Sequence, residues 1–446
     1  MLPYDETDPV SIENHAKLLE RKTFREVLPL EKVLNYGNKG GLGNLLEEYH
    51  FLYQPNSDAA PDFAEAGVEL KVTPIKHNKN KSYSAKERLV LNIINYHQLI
   101  NESFHSSSFW KKNNLILLIL YLYEQEKDRL DYLITNARLF QFPKKDLNII
   151  KKDWEKIQQK VLDGEAHELS ESDTNYLSAA TKGANRESVR AQPYSKIPAK
   201  QRAFSLKSSY MTYILREYIM EDLQTYTPIA EEFGEKSLEE YVIDRFKPFK
   251  GQSLISLIQE LGLNDKKKSK HITYMIASRI VNKNLDDLGK SEEFQKANIK
   301  VKAIRISKNG KIREHMSFPT FKYTEIIQEE WETSTLREMF LETRFLFIIF
   351  RETSNSELVF DNVLFWNLPN VDLEGDVRAV WEETVKRINE GKADQLPRKT
   401  EFEISHVRPH ARDSSDTYPT PYGTHEVKKC FWLNNDYILE QIHKLL

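Results

Sequence analysis

Apolar and polar residues alternate strictly over a short segment of the first hundred residues. Val68, Leu70 and Val72 are apolar, and the residues between them are polar. A period of two predicts a β-strand that buries its apolar side chains in a core and directs the others to the opposite face. Because the polar set includes Glu69 and Lys71, we expect this strand to present a carboxylate beside an ammonium group.

Helical spacing of leucines follows a glycine-rich stretch upstream of that strand. The glycines within residues 39–43 interrupt the chain, and the residues after them predict a helix that carries Glu47. The local pattern favours a surface position for Glu47, although the helix could also direct it toward the polar face of the strand. Farther along, the apolar run from Leu115 to Tyr123 predicts a buried strand, and it is too short to cross a bilayer.

A candidate metal site comes from Asp62, which lies seven residues before Glu69 and which we expect on a neighbouring strand. Two carboxylates on one face can hold Mg²⁺, a hard cation that prefers oxygen ligands. Lys71 can then lie beside an attacking water and a phosphate, which is an arrangement for metal-assisted phosphodiester hydrolysis. Glu-x-Lys alone is weak evidence, since it also occurs at Glu20 and at two later positions, so Asp62 and the strand pattern single this one out.

The composition is that of an ordinary soluble globular protein, with 446 residues, 40% hydrophobic and 29% charged. This length accommodates two domains of about 200 residues each. The sequence contains one cysteine, Cys430, which excludes an intrachain disulfide and a cysteine-rich zinc finger. Together with an N-terminus that does not resemble a signal peptide, this predicts a cytoplasmic protein without membrane partners.

Positive charge is concentrated although the formal net charge is −3. Between Lys182 and Arg216 the only acidic residue is Glu187, whereas lysines and arginines recur throughout the segment. Such a segment can neutralise phosphates and dominate the affinity for a nucleic acid. A lysine-rich solvated loop is the alternative interpretation.

The segment around Asp62 and Glu69 resembles the MutH family of DNA mismatch-repair endonucleases, which nick DNA at GATC. The resemblance covers about residues 35–220 in consistent order. It rests on Lys39-Gly40-x-x-Gly43-x-Leu45-Leu46-Glu47, Asp62-Phe63-Ala64-x-x-Gly67-Val68-Glu69-Leu70-Lys71-x-x-Pro74, Asp153-Trp154-Glu155, Gly164-x-x-x-x-Leu169, Tyr176-Leu177, Thr181-Lys182-Gly183-Ala184-Asn185 and Phe204-x-Leu206-Lys207.

The whole layout resembles the Sau-type (type IIE) restriction endonucleases, which pair a MutH-like catalytic half with a second half and cut GATC. The stretches Lys86 to Tyr96 and Lys200 to Ser208 carry this closer resemblance. It implies an α/β fold of two tandem MutH-like domains of the restriction-endonuclease type, each a mixed sheet flanked by helices. We expect a catalytic domain at 1–222, a linker or connecting helix at 223–250, and a degenerate domain at 251–446.

The second half repeats motifs of the first with altered chemistry. Glu293 to Ile304 aligns with Asp62 to Thr73, so that Lys300 takes the place of Glu69. In a looser alignment, Ala277 takes the place of Glu47. Because a lysine repels Mg²⁺ and removes a ligand, we expect a single active site, in the first half.

The resemblance assigns roles around the metal. It implies that Asp62, Glu69 and the backbone carbonyl of Leu70 bind Mg²⁺, that Lys71 orients the water and holds the phosphate, and that Glu47 binds metal or orders its water. It also implies a second catalytic lysine, for which Lys111 is the candidate. Lys111 and its neighbour Lys112 are hard to separate in this alignment.

The resemblance also implies a DNA-recognition set. Lys182 can donate to guanine in the major groove or contact a phosphate, and Gly183 lets the backbone approach the bases. Arg202, Ser205 and Lys207 belong to the second recognition stretch. Ser205 stands where MutH has a tyrosine tied to the sensing of adenine methylation, so we expect that methyl group not to block cleavage.

The sequence therefore predicts a type II restriction endonuclease that cuts both DNA strands at GATC with Mg²⁺ and leaves 5′-phosphate ends. We expect the second half to bind another GATC copy as an effector, although it could instead serve only structure or dimerisation. The implied partners are GATC-containing DNA, a cognate methyltransferase that acts in the same system, and a second protomer in a DNA-induced dimer. The alternatives are a MutH-like repair nickase and a non-catalytic DNA-binding regulator.

Overall fold

The computed structural model describes residues 2–29, 41–55, 59–78, 80–183, 188–220 and 226–446. Four residues of the sequence motifs, Lys39, Gly40, Ala184 and Asn185, lie outside these ranges, as do residues 223–225 of the predicted linker. Within the ranges, no helix is both long and apolar enough to cross a membrane.

Two compact units make up the chain. The first comprises Met1–Tyr226 with Gln295–Asn298, and the second comprises Thr227–Phe294 with Ile299–Leu446. The helices are α1 Pro9–Lys17, α2 Phe24–Val27, α3 Leu42–Tyr49, α4 Tyr96–Leu99, α5 Ser108–Asn113, α6 Lys144–Leu162, α7 Ser208–Ile214, α8 Leu238–Phe246, α9 Leu254–Glu260, α10 Ile272–Val281, α11 Glu292–Ala297, α12 Tyr323–Ile326, α13 Thr335–Glu342, α14 Asn370–Asp372, α15 Arg378–Asn389 and α16 Asn435–Leu445.

The strands form several sheets, and the α/β class with mixed sheets flanked by helices is confirmed. The strands are β1 Glu69–His77, β2 Tyr83–Ala85, β3 Leu89–Ile93, β4 Ile116–Leu122, β5 Leu133–Phe140, β6 Leu177–Thr181, β7 Val189–Gln192, β8 Ser195–Lys200, β9 Arg202–Leu206, β10 Ile299–Ile306, β11 Met316–Thr320, β12 Arg344–Glu352, β13 Leu358–Trp366, β14 Ser405–Pro409, β15 Thr417–Pro419, β16 His425–Val427 and β17 Lys429–Leu433.

The main sheet of the first unit has the strand order β2-β1-β4-β5. Its central strands β1 and β4 are parallel, and both outer strands pair with them in the antiparallel sense. Ile116 to Leu120 in β4 are all buried, as the uninterrupted apolar run predicts for a strand covered on both faces. The sheet therefore has a dry centre, and β1 lies in it.

The burial of β1 differs from the expected two-faced pattern. Glu69 is only 2% exposed and Thr73 is also buried, whereas Lys71 between them is partly exposed, so this polar face is largely covered. The expectation that Asp62 lies on a strand is also wrong: the residue lies in a bend just before an isolated bridge between Phe63 and Val68. The alternation still separates the charged side chains of Glu69 and Lys71 from the apolar ones.

A second sheet of the first unit has the order β3-β9-β6, and all of its pairs are antiparallel. Helix α6 is fastened to it through the buried carboxylate of Asp153. One carboxylate oxygen accepts from the backbone N–H of Asn175 at 2.8 Å, and the other accepts from those of Tyr176 at 2.7 Å and Leu177 at 3.0 Å. Trp154, Tyr176 and Phe204 are buried in this unit.

The second unit repeats this sequence of elements. Strand β10 is parallel to β12, which is antiparallel to β13, as β1, β4 and β5 are in the first unit. The antiparallel sheet β11-β17-β14 and the hairpin β15–β16 recur in the positions of β3-β9-β6 and β7–β8. The two units thus share this arrangement of strands, except that β2 has no counterpart in the sheet of β10, β12 and β13.

Replacing Asp153 by asparagine is expected to destabilise the protein by at least about 2 kcal/mol, since an amide group would face backbone donors that now bind a carboxylate. Urea unfolding of the purified variant measures this loss. The control is Asp163→Asn at the exposed end of the same helix, where a change below about 0.5 kcal/mol is expected. Equal stabilities of the two variants would contradict the role of Asp153.

Candidate active site

A tight turn brings Asp62 next to Glu69. Phe63 and Val68 exchange two backbone hydrogen bonds, of 2.9 and 3.2 Å, and Gly67 adopts a φ of +67° between them. The backbone N–H of Asp62 lies 3.3 Å from Glu69 Oε2 and donates to it. The positions of the two carboxylates are therefore set by main-chain geometry, which side-chain rotation cannot easily disturb.

The carboxylate of Asp62 is held in turn by β1. Its Oδ2 accepts a 2.8 Å hydrogen bond from the N–H of Leu70, whereas the N–H of Glu69 donates to Leu115 beside β4. Because successive peptide groups of a strand point in opposite directions, the carbonyl of Leu70 lies on the same side as its N–H. The carbonyl of Leu70 therefore faces the side of the strand where Asp62 lies.

Two lysines lie against Glu69. The ammonium nitrogen of Lys71 is 2.6 Å from Glu69 Oε1, and that of Lys112 is 3.8 Å from Glu69 Oε2. Lys111, the residue chosen from the sequence, is exposed, and the structure does not bring it to this cluster. Neighbouring residues on a helix point about 100° apart, so α5 can direct only one of the two lysines inward. The site thus contains Lys112 in place of Lys111.

Helix α3 directs Glu47 toward the same cluster. Leu42 and Leu46 are buried, and Gly43 faces β1, since an added Cβ would be in ordinary contact with the side chain of Val72 at 3.8 Å. Burial, followed by the negative charge of Asp62, raises the pKa of the Glu47 carboxyl from 4.5 to about 7. Glu47 is therefore partly buried near Asp62, whereas the local pattern favoured a surface position.

Burial also raises the pKa of Glu69, although the adjacent ammonium group of Lys71 opposes the shift.

Tyr53 is a further residue of this region that the sequence did not predict. Its backbone N–H donates to the carbonyl of Glu47 at 3.0 Å, and its ring packs edge-on against Phe63. Burial and the neighbouring carboxylate of Asp62 raise the pKa of the Tyr53 phenol. No spacing signal marks this tyrosine, because it follows the end of α3 and reaches the site only through the fold.

The donor set fits a divalent cation held in an open site. Among the residues that the structure describes, no group of three or more His, Cys, Asp or Glu side chains forms a metal cage. Asp62 and Glu69 nevertheless place two carboxylates next to each other, and the carbonyl of Leu70 supplies a third oxygen on their side. Mg²⁺ typically keeps several waters and uses one or two protein carboxylates, which matches this set.

The recognition residues predicted from sequence separate into two groups. Lys182 and Gly183 are exposed directly after β6, where DNA could reach them. Arg202, Ser205 and Lys207 are buried, in or next to β9. This burial corrects the expectation that these three side chains contact DNA.

Each buried member of that group has a partner inside the protein. The guanidinium of Arg202 donates to the carbonyls of Ala179 and Leu169, and Lys207 Nζ donates to a carbonyl at 2.6 Å. The hydroxyl of Ser205 lies 2.8 Å from that of Ser178. Because β9 is the central strand of its sheet, even its polar side chains point into the protein.

The aligned positions of the second unit have a different charge. Lys300 lies in β10 with its side chain exposed to solvent, and Ala277 is fully buried in α10. Lys302, aligned with Lys71, is partly buried, which lowers its pKa, and the charge of Lys300 lowers that pKa further. The strand that corresponds to β1 thus carries two lysines and no carboxylate.

Comparison with known proteins yields one family and two relatives. The family model described as DNA mismatch repair enzyme MutH matches residues 51–153. Type II restriction enzyme Sau3AI of Staphylococcus aureus is 39% identical over 489 aligned residues, which cover 98% of each protein. DNA mismatch repair protein MutH of Buchnera aphidicola subsp. Baizongia pistaciae (strain Bp) is 26% identical over 177 residues, which cover 39% of this chain and 79% of that protein.

The raised pKa of Glu47 predicts a pH dependence of stability. Between pH 4.5 and about 7 the folded state binds more protons than the unfolded state, so the free energy of unfolding should fall as the pH rises through this window. In Glu47→Gln, this decline in the free energy of unfolding should be smaller by about 1–2 kcal/mol. This is less than the full shift of the Glu47 pKa implies, because the carboxyl is only partly buried and solvent screens its interactions. Urea unfolding at pH 5 and pH 7.5, without divalent cations, measures the difference.

The control for that measurement is Glu65→Gln, because Glu65 is exposed in the turn between Asp62 and Glu69. This variant should keep the wild-type pH dependence. If Glu47→Gln also keeps it, the carboxylate of Glu47 does not have the raised pKa that its position implies.

Proposed function

We propose that this chain cuts both strands of DNA at GATC in a reaction that requires Mg²⁺. It belongs to the family of type II restriction enzymes that includes Sau3AI. The chain is a site-specific deoxyribonuclease, and the relationship extends through both units. The observation that carries the proposal is the cluster of Asp62, Glu69, Lys71 and Lys112 in the first unit.

In the proposed reaction, Asp62, Glu69 and the carbonyl of Leu70 hold the cation. When bound, a divalent cation neutralises the charge that develops on the phosphate and makes a coordinated water more acidic. Lys71 and Lys112 lie on the two oxygens of Glu69, so a phosphate that approaches this edge meets two ammonium groups. Lys112 holds a non-bridging phosphate oxygen, and Lys71 orients the attacking water.

Glu47 is suited to handling the proton of that water. A carboxyl with a pKa of about 7 exchanges protons readily at neutral pH, which is the condition for general acid–base work. The water attacks phosphorus, the bond to the 3′ oxygen breaks, and the products have 5′-phosphate and 3′-hydroxyl ends.

The second unit, in this proposal, binds another copy of GATC and stimulates cleavage by the first. The recurrence of the first unit's topology supports it, because a retained fold can retain a DNA-binding surface. The lysines at 300 and 302 support a binding role without catalysis, since they favour a phosphate and disfavour a cation.

Several further expectations extend the proposal. A host that carries a GATC-cutting enzyme must shield its own sites, so we propose a cognate methyltransferase in the same system. With one active site per chain, double-strand cleavage requires either a DNA-induced dimer or two successive nicks. We place the enzyme in the cytoplasm, where its DNA substrate lies.

A repair nickase is less well supported as an alternative. The MutH relative aligns with 39% of this chain, whereas the restriction enzyme aligns with 98% of it. Digestion of a supercoiled, sequenced plasmid distinguishes the two functions. Linear fragments with 5′-phosphate ends at GATC support the proposal, and accumulation of open circles alone would favour the nickase.

Removing the proposed metal ligand should abolish cleavage without abolishing binding. Asp62→Asn is expected to lower the cleavage rate at least about 1,000-fold while the variant still binds a GATC duplex in a gel shift. Intact binding with wild-type cleavage would contradict the role of Asp62, and loss of folding is checked by circular dichroism.

The two neighbouring lysines provide a matched pair of variants. Lys112→Met should lower the cleavage rate about 100-fold or more, because it removes a charge next to Glu69. Lys111→Met removes the same charge one residue away at an exposed position, and it should change the rate less than about 3-fold. The opposite order of effects would restore Lys111 as the second catalytic lysine.

A further inference from the structure

We propose that the β7–β8 hairpin is a separate DNA-contacting element and that Tyr194 at its tip enters a groove of the bound duplex. This proposal rests on the proposed DNA cleavage, and it adds a contact surface that lies outside the site and the recognition residues described above.

The exposed surface of the hairpin is apolar and basic. Val189 and Ile197 are 47% and 53% exposed, and Arg190 and Lys196 are exposed as well. The sequence contains no aspartate or glutamate from 188 to 200. Positive charge that accompanies apolar side chains is the combination expected of a surface that meets phosphates and bases.

Tyr194 has a backbone conformation that does not suit its side chain. Its φ is +61°, and it is the only aromatic residue among the described non-glycine residues with positive φ. Glycine or asparagine adopts this conformation at lower energy, and both are the usual choices in a tight hairpin. The side chain is 71% exposed, so packing within the chain does not account for it. Strain of this kind points to a function for the side chain.

The body of the first unit holds the hairpin in place. Gly164, with a φ of +75°, approaches it so closely that a Cβ would be 2.9 Å from the carbonyl oxygen of Tyr194. The buried amide of Gln192 donates to Ile197 at 2.6 Å and accepts from the N–H of Ala166 at 2.8 Å. The hairpin is thus a supported arm whose tip is fixed before DNA arrives, which lowers the entropic cost of binding.

The base of the hairpin adjoins the exposed recognition segment. The N–H of Lys182 donates to the carbonyl of Gln201 at 2.9 Å, and the N–H of Gln201 donates to the carbonyl of Ser188 at 3.0 Å. Hydrogen bonds therefore join the chain at Lys182 to the foot of the hairpin. DNA held at Lys182 would lie beside the arm.

A nucleic acid is the occupant that this surface fits best. A two-stranded β-ribbon is one of the structures that the major groove of B-DNA admits. Basic side chains along the ribbon can contact the phosphates, and an aromatic tip can stack on a base or contact its edge. A second copy of this chain is a weaker candidate, because two such basic surfaces would repel each other.

The test uses the full chain and a fluorescein-labelled duplex with one GATC, in EDTA so that no cleavage occurs. Fluorescence anisotropy should show about 10-fold or more weaker binding for Tyr194→Gly, because an aromatic contact is lost. The thermal midpoint should stay unchanged or rise by up to about 4 °C, because glycine relieves the positive φ. A purely structural tyrosine would instead lower that midpoint.

Matched variants separate the side chain from the backbone effect. Tyr194→Trp should keep most of the affinity. Ser356 has the same φ of +61° and is exposed in the second unit, so Ser356→Gly relieves the same backbone strain. This variant should leave the affinity for DNA unchanged. Lys196→Gln should lower the slope of log affinity against log salt concentration by about 1, as expected for the loss of one phosphate contact.

Unchanged affinity in Tyr194→Gly, with wild-type protein that binds and cuts GATC, would overturn this inference and leave the proposed function intact. Loss of self-association in sedimentation velocity, with unchanged affinity, would overturn it in favour of an interface between copies. A wild-type protein that neither binds nor cuts the duplex would reject the proposed function itself.

Discussion

The closeness of Asp62 and Glu69 is the constraint on which the rest of the site depends. Two carboxylates next to each other repel, and burial raises the pKa of Glu69. The fold opposes this with a main-chain N–H on each carboxylate and with the ammonium groups of Lys71 and Lys112. The site is thereby prepared for a cation, because a divalent ion removes the repulsion that the protein itself only reduces.

The electrostatics of Glu47 depend in part on the same two carboxylates. Burial is the main cause of the raised pKa of the Glu47 carboxyl, and the negative charge of Asp62 raises that pKa further, whereas Lys71 opposes the shift. A group in that state can take up or release a proton near neutral pH. In the proposed mechanism, this carboxyl is therefore the group that handles the proton of the attacking water.

The sequence alone predicted the parts of the site that local geometry determines. Glu69 and Lys71 are two residues apart on one strand, so their shared face follows from the period of β structure. Which of Lys111 and Lys112 lies next to Glu69 depends on how the short helix α5 is rotated about its axis against the sheet. The local sequence pattern does not predict this rotation. Arg202, Ser205 and Lys207 were assigned to DNA because their side chains are polar. They are buried because distant carbonyls and hydroxyls, such as those of Leu169, Thr174 and Ser178, satisfy them.

The two units show how little separates a metal site from a surface that repels metal. Strand β10 has a parallel partner, as β1 has, although β10 lies at the edge of its sheet and β1 lies between two strands. A lysine at 300 in place of Glu69 changes the local charge by two units, whereas Lys302 keeps the charge of Lys71 and Glu293 keeps that of Asp62. The main chain determines the positions of the side chains but not their charge. A negative charge at this position favours a cation, and a positive charge favours a phosphate. The proposed loss of catalysis in the second unit therefore requires the substitution of only a few side chains.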